Sequence, residues 1–224
     1  MPNIQKPTIK QHYVPQVYLK GFSQDKKRIY RYDLSNETQK LVPISSICYK
    51  DNLYEFNDKW AKTLGANYIE KIFCEFEAQF SIYINKLKKI IYEEFKETPL
   101  WIFDTEVDAF WVLYIAIQML RSPWVLDLAK ECSEQYFNKS DEYTDEIKTL
   151  SLLFCFPFLK SLSTNEYSLL NALLNTLTKL SIVIGIDRKD RIFTSDDPVY
   201  CDGLSLENIE KVIFPLSSNI VIFL

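Results

Sequence analysis

Histidine and glycine are scarce in this chain: His12 is the only histidine in 224 residues, and glycine occurs four times. One histidine rules out a metalloenzyme built on several of them and makes a structural zinc site an unexpected find. The five cysteines (Cys48, Cys74, Cys132, Cys155, Cys201) contain no C-x-x-C pair, so no zinc or dithiol redox motif is present. An odd, scattered set of thiols with no apolar signal core at the N-terminus fits a reducing cytoplasm, with the thiols as small core residues. The few glycines leave no Gly-rich phosphate cradle. No dinucleotide fingerprint, nucleophile elbow, zincin helix or EF-hand loop is visible either. The longest apolar stretch, Ala109–Leu120, is interrupted by Gln118. It is shorter than the roughly 20 residues that span a bilayer, so no membrane association is expected.

What is present is globular material. Hydrophobic residues make up 47% and charged residues 25%, too apolar and too balanced for disorder. The net charge of −4 predicts no general affinity for nucleic acid or membrane, but the charges are unevenly placed. Residues 1–31 hold seven basic side chains (Lys6, Lys10, Lys20, Lys26, Lys27, Arg28, Arg31) against Asp25 alone, whereas residues 104–146 hold ten acids against three bases. Such runs are commonly solvated faces. The sharper reading is a basic N-terminal edge that attracts an anionic small molecule or nucleic acid.

Periodicity divides the chain into three stretches of a single domain. Residues 1–56 read as a polar arm (1–11), a short helix after Pro15 that stops near Gly21, a hairpin (Arg28–Leu34 with Thr38–Ile44) and a short strand Leu53–Phe56. Residues 57–180 read as about five helices: a long amphipathic one from Trp60 to Phe95, an apolar one from Asp104 or Thr105 to Arg121, a third to Asn138, then roughly 145–161 and 164–180. Residues 181–224 read as strands at Ser181–Ile186, Arg191–Thr194, Val212–Leu216 and Asn219–Leu224. The expected fold class is α+β, an antiparallel sheet formed by the N- and C-terminal strands with an inserted helical bundle. The sequence ends on Ile220–Leu224 (IVIFL), where a terminal strand would fray. We therefore expect either a chain truncated at its C-terminus or a last strand lying in mid-sheet. If exposed, that apolar strand offers an edge to a second copy or another partner.

The run His12-Tyr13-Val14-Pro15-Gln16-Val17-Tyr18-Leu19-Lys20-Gly21-Phe22 resembles the opening of a bacterial family catalogued as a domain of unknown function, number 4238. Three later segments fit the same resemblance: Ile115–Pro123 (IAIQMLRSP), Phe193–Val199 (FTSDDPV) and Phe214–Ser217 (FPLS). Members that it resembles usually continue past the Pro-Leu-Ser segment. The resemblance implies no activity. It strengthens the fold expectation and the residue shortlist.

The shortlist rests on side-chain chemistry. His12 is the one side chain suited to proton transfer near neutral pH, or else a helix cap or a partner of a backbone carbonyl. Asp196 and Asp197 at a strand end can hold a divalent cation such as Mg²⁺, or Asp196 can orient His12, or the segment is a side-chain-capped turn. Arg121, with Gln118 one turn earlier, needs an acceptor: the helix C-terminus, a carboxylate such as Asp196, or a substrate phosphate. Glu70 and Glu77 share a helix face, and Glu77 is a candidate metal ligand with Asp196 and Asp197, although such glutamates are more often solvated. Tyr13, Tyr18, Tyr49, Tyr54 and Trp111 can stack on a base, or belong to the core.

Two functions follow. The first is an intracellular hydrolase of a phosphate-bearing substrate, nucleotide or nucleic acid, with His12 as acid or base, Asp196 orienting it or holding Mg²⁺, and Arg121 and Gln118 steadying the anion. The second is a non-enzymatic interaction or binding protein, in which the same polar residues staple the N-terminal arm to the rest of the fold.

Overall fold

The computed structural model describes residues 8–56, 58–94, 105–136, 148, 151–152, 155, 169–203 and 208–224. Strand β1 (Lys10–His12) leads through Pro15 into the one-turn helix α1 (Gln16–Leu19) and a 3₁₀ turn, Lys20–Phe22. The hairpin of β2 (Arg28–Asp33) and β3 (Thr38–Pro43) follows, then β4 (Tyr49–Asp51). Helices α2 (Asp58–Leu64), α3 (Tyr68–Lys89), α4 (Thr105–Leu120), α5 (Pro123–Tyr136) and α6 (Leu169–Leu177) make the middle. The last stretch is β5 (Val183–Ile186), β6 (Tyr200–Asp202), β7 (Lys211–Ser217) and β8 (Ile220–Phe223).

The α+β class holds, with strands from both ends of the sequence flanking the helices. They pair antiparallel, but among the described residues in three separate sheets rather than one: β1 with β4, β2 with β3, and β5-β8-β7-β6. The long helix expected from Trp60 is divided, because Gly65 (φ 90°) and Asn67 (φ 57°) take left-handed conformations that end α2 and re-aim α3. The helix expected at 145–161 lies largely outside the described residues, as does the turn at Thr98-Pro99.

Two strands were misplaced by pattern. Leu53–Phe56 alternates because Tyr54 and Phe56 are buried. The strand is nevertheless β4, which pairs in register His12↔Tyr49 and Lys10↔Asp51. The Tyr54 amide is consumed by the Gln11 side chain at 2.6 Å, so the ladder stops there. Among the described residues Arg191–Thr194 has no strand partner beyond a single Ile192 amide bond to the Ser218 carbonyl, 2.9 Å. The turn before it is closed by Asp187, which accepts the Arg191 amide at 2.8 Å, and the partner of β5 is β8.

Helix α4 is the axis of the core. It is apolar nearly all round, and Val107, Trp111, Tyr114, Ile115 and Leu120 are buried. It packs against α3, α5 and α6. Burial of each such side chain contributes about 1.5–3 kcal/mol. In β7, Val212, Phe214 and Leu216 alternate inward. Pro215 is tolerated in this interior strand because the register with β8 shifts between Pro215 and Ser217. Strand β8 lies between β5 and β7, so the apolar Ile220–Phe223 run is a mid-sheet strand. The edge expected there for a partner is already occupied on both sides. Among the described residues, no single helix is long and apolar enough to cross a membrane.

The 3₁₀ turn docks flush on β7. A Cβ at Gly21 would lie 2.7 Å from the Leu216 carbonyl oxygen, so only glycine permits this approach. The Ser218 amide donates to the Gly21 carbonyl at 3.2 Å. Tyr18 stacks on Phe214 with centroids 5.2 Å apart, and its hydroxyl shares a hydrogen bond with Thr194 Oγ1 at 2.7 Å.

Candidate functional site

Arg121 follows the last turn of α4, with its side chain fully buried. Its Nη1 and Nη2 each donate to Glu77 Oε1 at 3.1 Å. Nη2 also donates to the His12 carbonyl at 2.6 Å. The guanidinium lies over the Phe73 ring, 4.1 Å from its centroid. Its own carbonyl accepts the Tyr54 hydroxyl at 2.9 Å. Gln118, one turn back, donates Nε2 to the Tyr13 carbonyl at 2.8 Å. Consecutive carbonyls of the N-terminal arm are thus held by consecutive polar side chains of the buried helix. A guanidinium suits this task because its planar fork can serve a carboxylate and a carbonyl together.

The acceptor of Arg121 is therefore Glu77, not Asp196. Glu77 is half-buried and paired, where solvation or metal ligation was expected of it. Glu70, two turns back on the same helix face, has a buried Oε2 with no hydrogen-bond partner among the described residues. Burial pushes its carboxyl up to about 7, against the pull of Arg121. Gln11, wholly buried, donates Nε2 to Glu55 Oε1 at 2.7 Å and extends the same polar layer.

His12 joins this layer through its backbone carbonyl, and its ring bonds elsewhere. Burial lowers its pKa, opposed by a hydrogen bond to the Ser45 backbone carbonyl and by the field of Glu77. Its Nε2 is buried without a partner. The ring sits 5.6 Å from that of Tyr49. Asp196 is not among the main charges that act on His12, which are Glu77, Arg121 and Lys10. It is exposed, and its field acts on Tyr13 and Cys48. Burial and the nearby carboxylate push the Tyr13 hydroxyl to about 12 and the Cys48 thiol to about 11. Asp197 accepts the Trp124 indole Nε1 at 2.9 Å. The turn is closed by Ser195, whose Oγ donates to the Asp197 carbonyl at 2.6 Å and accepts its amide at 3.2 Å. The side-chain-capped turn is thus the observed arrangement. The candidate ligands Asp196, Asp197 and Glu77 are not gathered: no group of three metal-capable side chains occurs among the described residues. A turn that points one Asp to solvent and the other to Trp124 cannot bring both to Glu77. Tyr18, Tyr54 and Trp111 are core residues.

A separate open cleft of about 710 Å³ lies at the basic edge. It is lined by Gln16, Lys20, Asp25–Arg28 and Pro43–Ser45. Asp25 shapes its floor by accepting the amides of Lys27 (2.8 Å) and Arg28 (2.7 Å) and the Arg28 Nε (2.9 Å). Those bonds hold its carboxyl well below the usual range. Lys26 (φ 60°) donates Nζ to the Lys20 carbonyl at 2.9 Å. Four cations therefore face one carboxylate that is already engaged. Lys88 of α3 feels Lys26, which with burial lowers its pKa.

The family model described as Protein of unknown function (DUF4238) matches residues 10–224. The chain belongs to this family. No curated protein and no solved structure matches. In this DUF4238 chain the four segments that carried the resemblance meet in space. Tyr13 and His12 touch Gln118 and Arg121, Tyr18 touches Thr194 and Phe214, and Gly21 touches Leu216. Sequence reading missed Gln11, Glu55 and the Glu77–Arg121 pairing. The only available signal was that Glu70, Phe73 and Glu77 share one face of α3 opposite an isolated arginine.

Proposed function

We propose that this chain is a binding protein for a phosphate-bearing anion, seated in the cleft between the 3₁₀ turn and the base of the β2–β3 hairpin. The polar layer of His12, Gln118 and Arg121 then serves the fold. The observation that carries this reading is the division of cations. Arg121 spends its forked donors on Glu77 and the His12 carbonyl. Lys20 and Lys27 reach the cleft with no acidic partner among the described residues. Exposed cations around a concavity raise the local concentration of anions and bind them in a salt-dependent way. The five free cysteines fit a reducing, cytoplasmic setting.

The test is equilibrium binding of pyrophosphate and a nucleoside triphosphate at low and physiological salt. Binding that weakens with salt, falls at least tenfold in a Lys20→Ala/Lys27→Ala variant and persists in His12→Ala is the expected result. Absence of binding at low salt would sink the reading.

The orphaned Nε2 of His12 favours a second reading, hydrolysis of a phosphate-bearing substrate with His12 as acid or base. It requires the ring to become accessible. Phosphate release with Mg²⁺ that disappears in His12→Ala would support it, and release unchanged in that variant would exclude the role.

A further inference from the structure

The β2–β3 hairpin leaves the cleft at its base. Arg28 and Pro43, which line the cleft, are a cross-strand pair. Directly opposed residues share a face, and so do residues two apart along a strand. The face that carries Arg28 therefore continues through Tyr30 opposite Leu41 and Tyr32 opposite Gln39. The other face begins with Ile29, which is buried, opposite Val42, and packs on the core. The Arg28 face is thus the outward one. Tyr30 is 65% exposed and Tyr32 57% exposed. Two tyrosines in solvent on one strand, in line with a basic cleft, have no role in the core.

We infer that this outer hairpin face and the cleft together bind a single-stranded nucleic acid, with Tyr30 and Tyr32 stacking on bases and Lys20, Lys27 and Arg28 engaging the backbone phosphates. The inference rests on the anion reading of the cleft and names its ligand. Exposed aromatic rings beside cations are the combination that single-strand binders use, since every base has a π-face. Spacing selects the form of the ligand. Tyr30 and Tyr32 stand about 7 Å apart along the strand. That is about twice the ~3.4 Å step of a base-paired strand. The hairpin therefore suits bases that are splayed rather than stacked in a duplex. Charge favours this ligand over a second copy of the chain: the cleft that continues the face is lined by Lys20, Lys26, Lys27 and Arg28 against Asp25, and a copy docked face to face would set those cations against each other or have to shift past them.

The experiment is fluorescence anisotropy of a labelled oligothymidylate 15-mer with the full chain, in parallel with a duplex of the same length. Salt-dependent binding of the single strand, weaker binding of the duplex, and a loss of about tenfold or more in Tyr30→Ala/Tyr32→Ala are expected. Tyr30→Phe/Tyr32→Phe retains the rings and should retain binding. Lys20→Ala/Lys27→Ala should weaken binding and flatten its salt dependence. Equal affinity of the alanine pair and the parent overturns the inference. So does a sedimentation profile in which the alanine pair abolishes self-association, because the face is then an interface between copies. Pyrophosphate binding without oligonucleotide binding overturns this inference and leaves the anion reading standing. Failure of both ligands overturns both.

Discussion

At the scale of single residues, the two titrating groups worth following are His12 and Glu70. His12 is the only histidine, so its ring gives one resolvable imidazole titration by NMR. Burial disfavours the charged ring and lowers its pKa below 6.5. The unfolded chain then takes the proton first on acidification, and His12 costs stability as pH falls below that value. A midpoint below 6.5 is expected, and one at or above it would mean that the Ser45 bond and the field of Glu77 outweigh burial. Glu70 has the opposite sign. Folded, it keeps its proton to about 7, against 4.5 for the free group. The folded state binds more protons between those values, so its stability falls as pH rises across that window. Glu70→Gln removes the penalty. It should stabilise by about 1–3 kcal/mol above pH 7 and change little below pH 4. Chemical denaturation at the two pH values reads the difference, and equal effects at both would contradict it.

At the scale of elements, the central contact is the N-terminal arm against α4 and α3. Arg121 serves all three, through the His12 carbonyl, its own helix end and Glu77. Its side chain is 2% exposed and that of Glu77 25%. Removing the guanidinium leaves a partly buried carboxylate and a carbonyl unpaired, so Arg121→Ala should cost about 3–5 kcal/mol. A cycle with Glu77→Ala should return a coupling energy above about 1 kcal/mol. Additive losses would place the value of Arg121 in its stacking on Phe73 instead. The existence of this element contact was legible in part. Arg121 on an otherwise apolar helix demanded an acceptor. Which carboxylate answered was not legible, because Glu77 is 44 residues away and its face of α3 is fixed only after Gly65 and Asn67 break the preceding helix. Leu53–Phe56 failed for a related reason. The sequence suggests a short strand there, but the Gln11 side chain takes the Tyr54 amide that a ladder would need.

At the scale of the whole molecule, stability should be graded. Strand β8 is bonded on both sides, by β5 and by β7, and its Ile220 and Ile222 are buried. Among the described residues the β2–β3 hairpin pairs only with itself, and it exposes Tyr30 and Tyr32. Amide exchange should therefore be slowest in β8 and much faster in the hairpin, where opening exposes little apolar surface. Uniform protection across both would mean that the hairpin unfolds only with the core. A hairpin of low local stability also fits a surface that adjusts to a flexible ligand.

The sequence by itself determined the elements whose cause is local: the 3.6-residue periodicity of α3, the nearly all-round apolarity of α4, the β2–β3 hairpin around its polar turn, the apolar alternation of β7, and the concentration of basic residues up to Arg31. It also determined family membership, through segments that tertiary contact later brings together. Only the tertiary structure decided that the described strands fall into three sheets, that β8 lies mid-sheet, that Arg121 and Gln118 hold the carbonyls of His12 and Tyr13, and that the field of Asp196 acts on Tyr13 and Cys48. The reason is physical. Periodicity and turn chemistry act over a few residues, where the backbone transmits direction. Partners of buried polar groups are chosen by whichever acceptors the packed helices happen to bring within about 3 Å, and no local pattern encodes that choice.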